Sequence, residues 1–79
     1  MNEDFVKSRI KETIQGLLGL DGGVPDDKDI YADLGLRSVD AIKVLLALED
    51  CFEVPIDDVK FSEARSVNKL VALIGETNG

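Results

Sequence analysis

The chain contains no histidine and a single cysteine, Cys51. Without histidine there is no ordinary general base to turn a serine or cysteine into a catalytic nucleophile, and nothing near Ser38 in the sequence reads as a triad partner. One cysteine excludes an internal disulfide, and with no histidine or second cysteine it cannot build a zinc site, so a reducing, cytoplasmic setting is the default. Cys51 falls in an apolar helical stretch and is expected to be a partly buried small apolar residue. No run approaches the ~20 apolar residues that a membrane span needs, and Met1-Asn2-Glu3-Asp4 is acidic with no apolar run behind it. Strand-like alternation and internal repeats are also missing. At 79 residues the chain reads as one domain covering residues 1–79, too small to enclose an active site of any size. A small hydrolase is excluded by that size together with the missing base.

Positive charge is scarce. Nine Lys and Arg against sixteen Asp and Glu give a formal net charge of −7. Such a field opposes nucleic acid and anionic membrane and favours partners with basic patches, although an acidic surface by itself is as readily explained by solubility. The acids gather between Glu49 and Asp58. A second group, Asp21, Asp26, Asp27, Asp29 and Asp33, raises calcium. However, no glycine stands sixth and no glutamate twelfth from any of these aspartates, so the stretch reads as a solvated loop and no metal is predicted.

What is present is helical periodicity. From about Asp4 to Leu18, Phe5, Val6, Ile10, Ile14, Leu17 and Leu18 recur at three- and four-residue spacing, and Gly19 and Asp21-Gly22-Gly23-Val24-Pro25 stop the helix. The connection from Gly19 to Arg37 is long for a small domain. Ile30, Leu34 and Leu36 are its expected anchors, with a short helical turn over Asp29 to Asp33. A second helix runs from Ser38 to about Phe52. Ala41, Ile42, Leu45, Leu48 and Phe52 are its expected core stripe, Val44 and Ala47 are also expected to be buried, and Val39, Lys43, Leu46 and Asp50 share a face away from the core. Asp57 is an expected N-cap for a short third helix through Phe61, with Val54, Ile56 and Phe61 facing inward. Ser66 caps a fourth helix carrying Val67, Leu70, Val71 and Ile74, which is expected to fray at Gly75 into a disordered Asn78-Gly79 tail. The expected fold is all-α, a bundle of three long helices and one short one with a long loop between the first two.

Around Asp33-Leu34-Gly35-Leu36-Arg37-Ser38-Val39-Asp40 the periodicity meets a turn that delivers one serine to a helix start. Position alone allows two readings. Serine is a common N-cap residue, so Ser38 is read as a cap. On position alone the cap is the commoner role, but unpaired N–H groups and the positive end of the helix dipole also suit a hydroxyl that carries a phosphate diester, so Ser38 is also read as a handle.

This motif, followed by Ala41-Ile42-Lys43-Val44-Leu45-Leu46-Ala47-Leu48-Glu49-Asp50-Cys51-Phe52, resembles the acyl carrier proteins, whose usual pattern is D-L-G-x-D-S-L-D running into an apolar helix that ends near E-E-x-F. The resemblance covers nearly the whole chain, including Val54-Pro55-Ile56-Asp57-Asp58 and the last helix. It implies that Ser38 carries 4'-phosphopantetheine, supplied from coenzyme A by a separate phosphopantetheinyl transferase. The chain would then be a carrier of acyl thioesters between enzymes of fatty acid, polyketide or related lipid biosynthesis, and not itself an enzyme. The implied partners are acyl-transferring and condensing enzymes with basic docking patches, and the carrier is expected to be a cytoplasmic monomer.

Arg37, Val39, Asp40, Lys43, Leu46, Glu49, Asp50, Asp57 and Asp58 are the expected partner-contacting residues, and Leu48, Ile56 and Phe61 the expected lining of an acyl pocket. Arg37 and Lys43 depart from the pattern, which has acids there, and point to a specialised rather than a housekeeping carrier. A peptidyl or aminoacyl carrier of a nonribosomal pathway, and an unmodified acidic adaptor, remain as alternatives.

Overall fold

The computed structural model describes residues 2–78, with side chains for 2–76. Helix α1 spans Glu3–Leu18, α2 Ser38–Phe52, α3 Asp58–Glu63 and α4 Val67–Asn78, with no strand among the described residues. The all-α arrangement of three long helices and one short one is as the periodicity predicts.

Each helix begins where a side chain or a reversed contact supplies the missing acceptor. Asn2 Oδ1 accepts the N–H groups of Asp4 and Phe5 at 2.7 and 3.3 Å, and Glu3 and Asp4 complement the dipole of α1. At the other end Gly19 takes φ +64°, where its N–H reaches the carbonyl of Gln15. Asp57 caps α3 as expected, its Oδ1 accepting from Val59 and Lys60 at 2.9 and 3.0 Å. Ser66 caps α4, accepting from Lys69 N–H at 3.3 Å. Contrary to expectation α4 does not fray at Gly75 but continues to Asn78; Gly79, the end of the expected tail, lies outside the described residues.

Val6, Ile10 and Ile14 on α1 meet Leu70, Val71, Leu73 and Ile74 on α4 and Val44, Leu48 and Phe52 on α2 in one core. Phe5, expected within the buried stripe, is 50% exposed and touches this core only edge-on, 6.2 Å from Phe52. The long connection is not loose. Ile30 and Leu36 are buried as anchors, Leu34 is half-buried, and Val24 is a further buried anchor. Asp26 pairs with Lys7 and Lys11 of α1, while its carbonyl accepts Asn68 N–H at 3.0 Å. Ile30 N–H reaches Arg65 O at 2.8 Å. The loop is thereby fastened to both α1 and α4, and this holds the start of α2 in place.

α2 is rotated relative to the expected stripe. The buried residues are Asp40, Val44, Leu48 and Phe52, with Ala41 and Leu45 half-buried, whereas Ile42 is 59% exposed and Ala47 is also exposed. At ~100° per residue the observed stripe is centred about 60° from the expected one. The cause is Asp40: a polar residue occupies a core-facing position, and an isoleucine sits outside. Cys51, expected to be partly buried, is exposed.

Candidate functional site

The segment leading to Ser38 is a series of local locks. Asp29 Oδ1 accepts from Tyr31 and Ala32 N–H at 2.8 Å each, Asp33 N–H returns to Asp29 O at 2.9 Å, and Gly35 N–H to Tyr31 O at 3.1 Å, closing the expected helical turn. Gly35 then leaves this turn with φ +80°, a conformation that side chains other than glycine adopt only with strain. The chain reverses into extended backbone at Arg37 (φ −94°, ψ 164°), and α2 starts at Ser38.

Ser38 is the first helical residue and not the cap. The cap position is Arg37, which has no acceptor to offer. The junction is closed from the opposite side, with Asp40 Oδ2 accepting Arg37 N–H at 3.3 Å and Arg37 Nε at 3.2 Å. Arg37's guanidinium, first, and its own N–H hold the Asp40 carboxyl below the usual carboxylate range, against a desolvation that pushes it up. Asp40 is 7% exposed. It was expected to meet partners; in the structure its charge is turned inward and spent on the junction. Because Asp40 does this work, the exposed Ser38 is free of the capping role that position alone allowed it.

Beside Ser38 lies a cleft of about 360 Å³ lined by Ala41, Ile42 and Leu45 of α2, Asp58, Phe61 and Ser62 of α3, and Tyr31 and Arg65 from the flanking loops. Of the three expected pocket residues only Phe61 lines it. Leu48 is fully buried (0% exposed) in the core behind, and Ile56 is buried off the lining. The rotation of α2 explains the difference, since it brings Ala41, Ile42 and Leu45 to the cleft and carries Leu48 inward.

Arg65 and Tyr31 carried no signal in the sequence because only the fold brings them together. Arg65 Nε donates to Asp29 Oδ2 at 2.7 Å and Nη2 to Oδ1 at 3.3 Å, and its guanidinium lies 4.6 Å from the centre of the Tyr31 ring. With Arg65 as the main cause, followed by Ala32 N–H, the Asp29 carboxyl is held down at about 2.

The other expected partner residues divide. Val39 and Leu46 are 55% and 59% exposed, and Arg37, Lys43, Asp50, Asp57 and Asp58 are also exposed. Glu49 is half-buried, its carboxylate accepting Ile56 N–H at 2.8 Å to fasten the chain after α2. Among the described residues no helix is long and apolar enough to cross a membrane.

Residues 8–74 match the family model described as "Phosphopantetheine attachment site". The chain is 26% identical to an acyl carrier protein of Akkermansia muciniphila over the full length of both chains. Among solved structures, a type-II acyl carrier protein from Streptomyces verticillus involved in bleomycin biosynthesis superposes with a TM-score of 0.87 at 23% identity, covering 98% of this chain and 90% of that one. A candidate acyl carrier protein from Mycobacterium tuberculosis gives 0.82 at 24% identity, covering 90% and 96%. An exposed serine at a helix start, a cleft at its side and a family match over residues 8–74 agree: the chain belongs to the phosphopantetheine-attachment family, as an acyl carrier acted on by enzymes rather than as an enzyme.

Proposed function

We propose that Ser38 is the residue that carries 4'-phosphopantetheine, and that the 79-residue chain acts as a single carrier domain. In this reading it is a cytoplasmic monomer serving fatty acid, polyketide or related lipid biosynthesis. The observation that carries the reading is the division of labour at the start of α2, where Asp40 closes the helix end and leaves the Ser38 hydroxyl exposed on the rim of the cleft.

The transferase supplies the electrophile: the Ser38 oxygen attacks the β-phosphate of coenzyme A, a new phosphate ester forms, and adenosine 3',5'-bisphosphate leaves. The proton of Ser38 passes to a base on the transferase, because this chain has no histidine to take it. An attached phosphate would be held at the N-terminus of α2, where the first-turn N–H groups and the helix dipole would favour its charge. The arm supplies a thiol for thioesters. The chain's own contribution is to hold the handle rigidly, through the Asp26 and Asp29 ties, and to offer cargo the apolar floor of Ala41, Ile42, Leu45 and Phe61.

Enzymes with basic patches would approach through Asp50, Asp57 and Asp58, with Val39 and Leu46 as apolar anchors. Arg37 and Lys43 support a specialised pathway. The test is intact mass after incubation with coenzyme A and a broad-specificity phosphopantetheinyl transferase: one added phosphopantetheine is expected on the wild type and none on Ser38→Ala. A chain that stays at apo mass with several transferases refutes the assignment.

A further inference from the structure

The outward face of α2 is not uniformly acidic, despite the net charge of −7. Asp40 is turned inward against Arg37, and Glu49 is half-buried against Ile56 N–H. Neither offers a free carboxylate near the handle. Arg37 is 76% exposed and spends only Nε on Asp40. Lys43 is exposed and forms no ion pair among the described residues. Within α2 the remaining exposed acid is Asp50, while the exposed Asp58 of α3 lines the cleft on the other side of Ser38. At ~1.5 Å of rise per residue, Lys43 stands about 7.5 Å along the axis from Ser38 and Asp50 about 18 Å. Between and beside them runs an apolar ridge, Val39, Ile42 and Leu46, exposed by 55%, 59% and 59%. Spaced at i, i+3 and i+7, these three point one way on a helix. The face is therefore split, cationic beside the handle and anionic at its far end, with an apolar ridge along it.

We propose that this face docks an acyl-handling enzyme whose arm entrance is rimmed by carboxylates opposite Arg37 and Lys43, with an apolar socket for Val39, Ile42 and Leu46 and a cation opposite Asp50. The proposal rests on Ser38 being the handle, because the polarity is defined relative to it. The chain's overall field attracts basic surfaces at long range. At contact, a partner with cations around its entrance meets Arg37 and Lys43, and it seats the apolar ridge more weakly because like charges are brought together. A carboxylate rim is recognised only at close range and only in one orientation. That combination selects against general partners as well as for a particular one.

The probe is a phosphopantetheinyl transferase with lysine and arginine around its entrance, together with the same enzyme bearing glutamates at those positions. The substrates are the full chain as wild type, Lys43→Glu, Asp50→Lys and Lys69→Glu, the last changing net charge as Lys43→Glu does but from the exposed side of α4. All three substituted sites are exposed, and thermal unfolding checks that each variant folds.

With the basic-rimmed probe, Lys43→Glu is expected to raise kcat/KM several-fold, chiefly through KM. With the acidic-rimmed probe it lowers it several-fold. Asp50→Lys slows both probes, since the far contact is the same in each, and Lys69→Glu moves neither. Equal effects from Lys43→Glu and Lys69→Glu would reduce the observation to net charge, and no effect from Lys43→Glu would make Lys43 an ordinary solvated side chain; either result overturns the proposal. If the acidic-rimmed enzyme has no turnover, the comparison of Lys43→Glu with Lys69→Glu on the basic-rimmed enzyme still decides. Absence of any modification of Ser38 overturns the carrier site itself and the docking claim with it, which distinguishes that failure from an insensitive Lys43.

Discussion

Leu46→Ala and Leu48→Ala remove the same atoms from one helix two residues apart, yet the structure separates their costs. Leu48 is 0% exposed and packs in the core with Val44, Phe52 and Ile14; Leu46 is 59% exposed. Truncating a fully buried leucine costs ~2–5 kcal/mol through lost transfer energy and the cavity left behind. Fully burying a leucine side chain is worth ~1.5–3 kcal/mol, so the minor part of Leu46 that is covered accounts for about 1 kcal/mol or less. In a domain of this size 1 kcal/mol shifts Tm by ~4–8 °C. Leu48→Ala should therefore lower Tm by more than ~10 °C and Leu46→Ala by only a few degrees. Partner engagement should rank in the opposite order. As an anchor, Leu46 should contribute ~1–2 kcal/mol of binding, lost mainly as faster dissociation, while Leu48→Ala should bind normally at temperatures where it remains folded. Circular dichroism melting and surface-based kinetics against the transferase measure the two quantities on the same samples. If Leu46→Ala melts as early as Leu48→Ala, the residue is core and the ridge on α2 is not a docking surface.

Glu53, which ends α2 at φ +54°, holds a left-handed conformation without being glycine; Glu53→Gly should stabilise the fold by about 0.5–1 kcal/mol, seen as a higher denaturation midpoint at unchanged slope. The acid limb of stability should respond to Asp29, whose pKa is lowered from 3.8 to about 2 chiefly by Arg65. A lowered folded-state pKa contributes stability that is complete above the unfolded value and lost as pH falls through the folded one. The window is pH ~4 to ~2, and Asp29→Asn should flatten urea midpoints across it while leaving other acid-limb contributions, such as that of Asp26, in place.

Much of the bundle was legible because helix periodicity and capping are local. Asn2 aside, the caps were visible as Gly19, Asp57 and Ser66, and the anchors as Ile30 and Leu36. The buried stripe of α2 is not legible from hydropathy because it includes a carboxylate, Asp40, beside Val44, Leu48 and Phe52. Asp40 faces inward because Arg37 cannot cap the helix, so a carboxylate three residues on must reach back to it. That requirement turns Ile42 outward and removes Leu48 from the cleft. Arg65 and Tyr31 were illegible for another reason, since their meeting depends on the loop being fastened to the α3–α4 junction through Ile30 N–H and Asp29. Charge counting likewise showed a run of acids but not that Glu49 is occupied by Ile56 N–H.

The central claim is that Ser38, released from capping by Asp40, is the attachment point. Its most direct test is peptide-level mass spectrometry of the chain after reaction with coenzyme A and a broad-specificity transferase. A single phosphopantetheine on the peptide containing Ser38, abolished by Ser38→Ala and retained in Cys51→Ala, is the predicted result. A modification that survives Ser38→Ala or maps to Cys51, or a wild-type chain that remains unmodified, would contradict it.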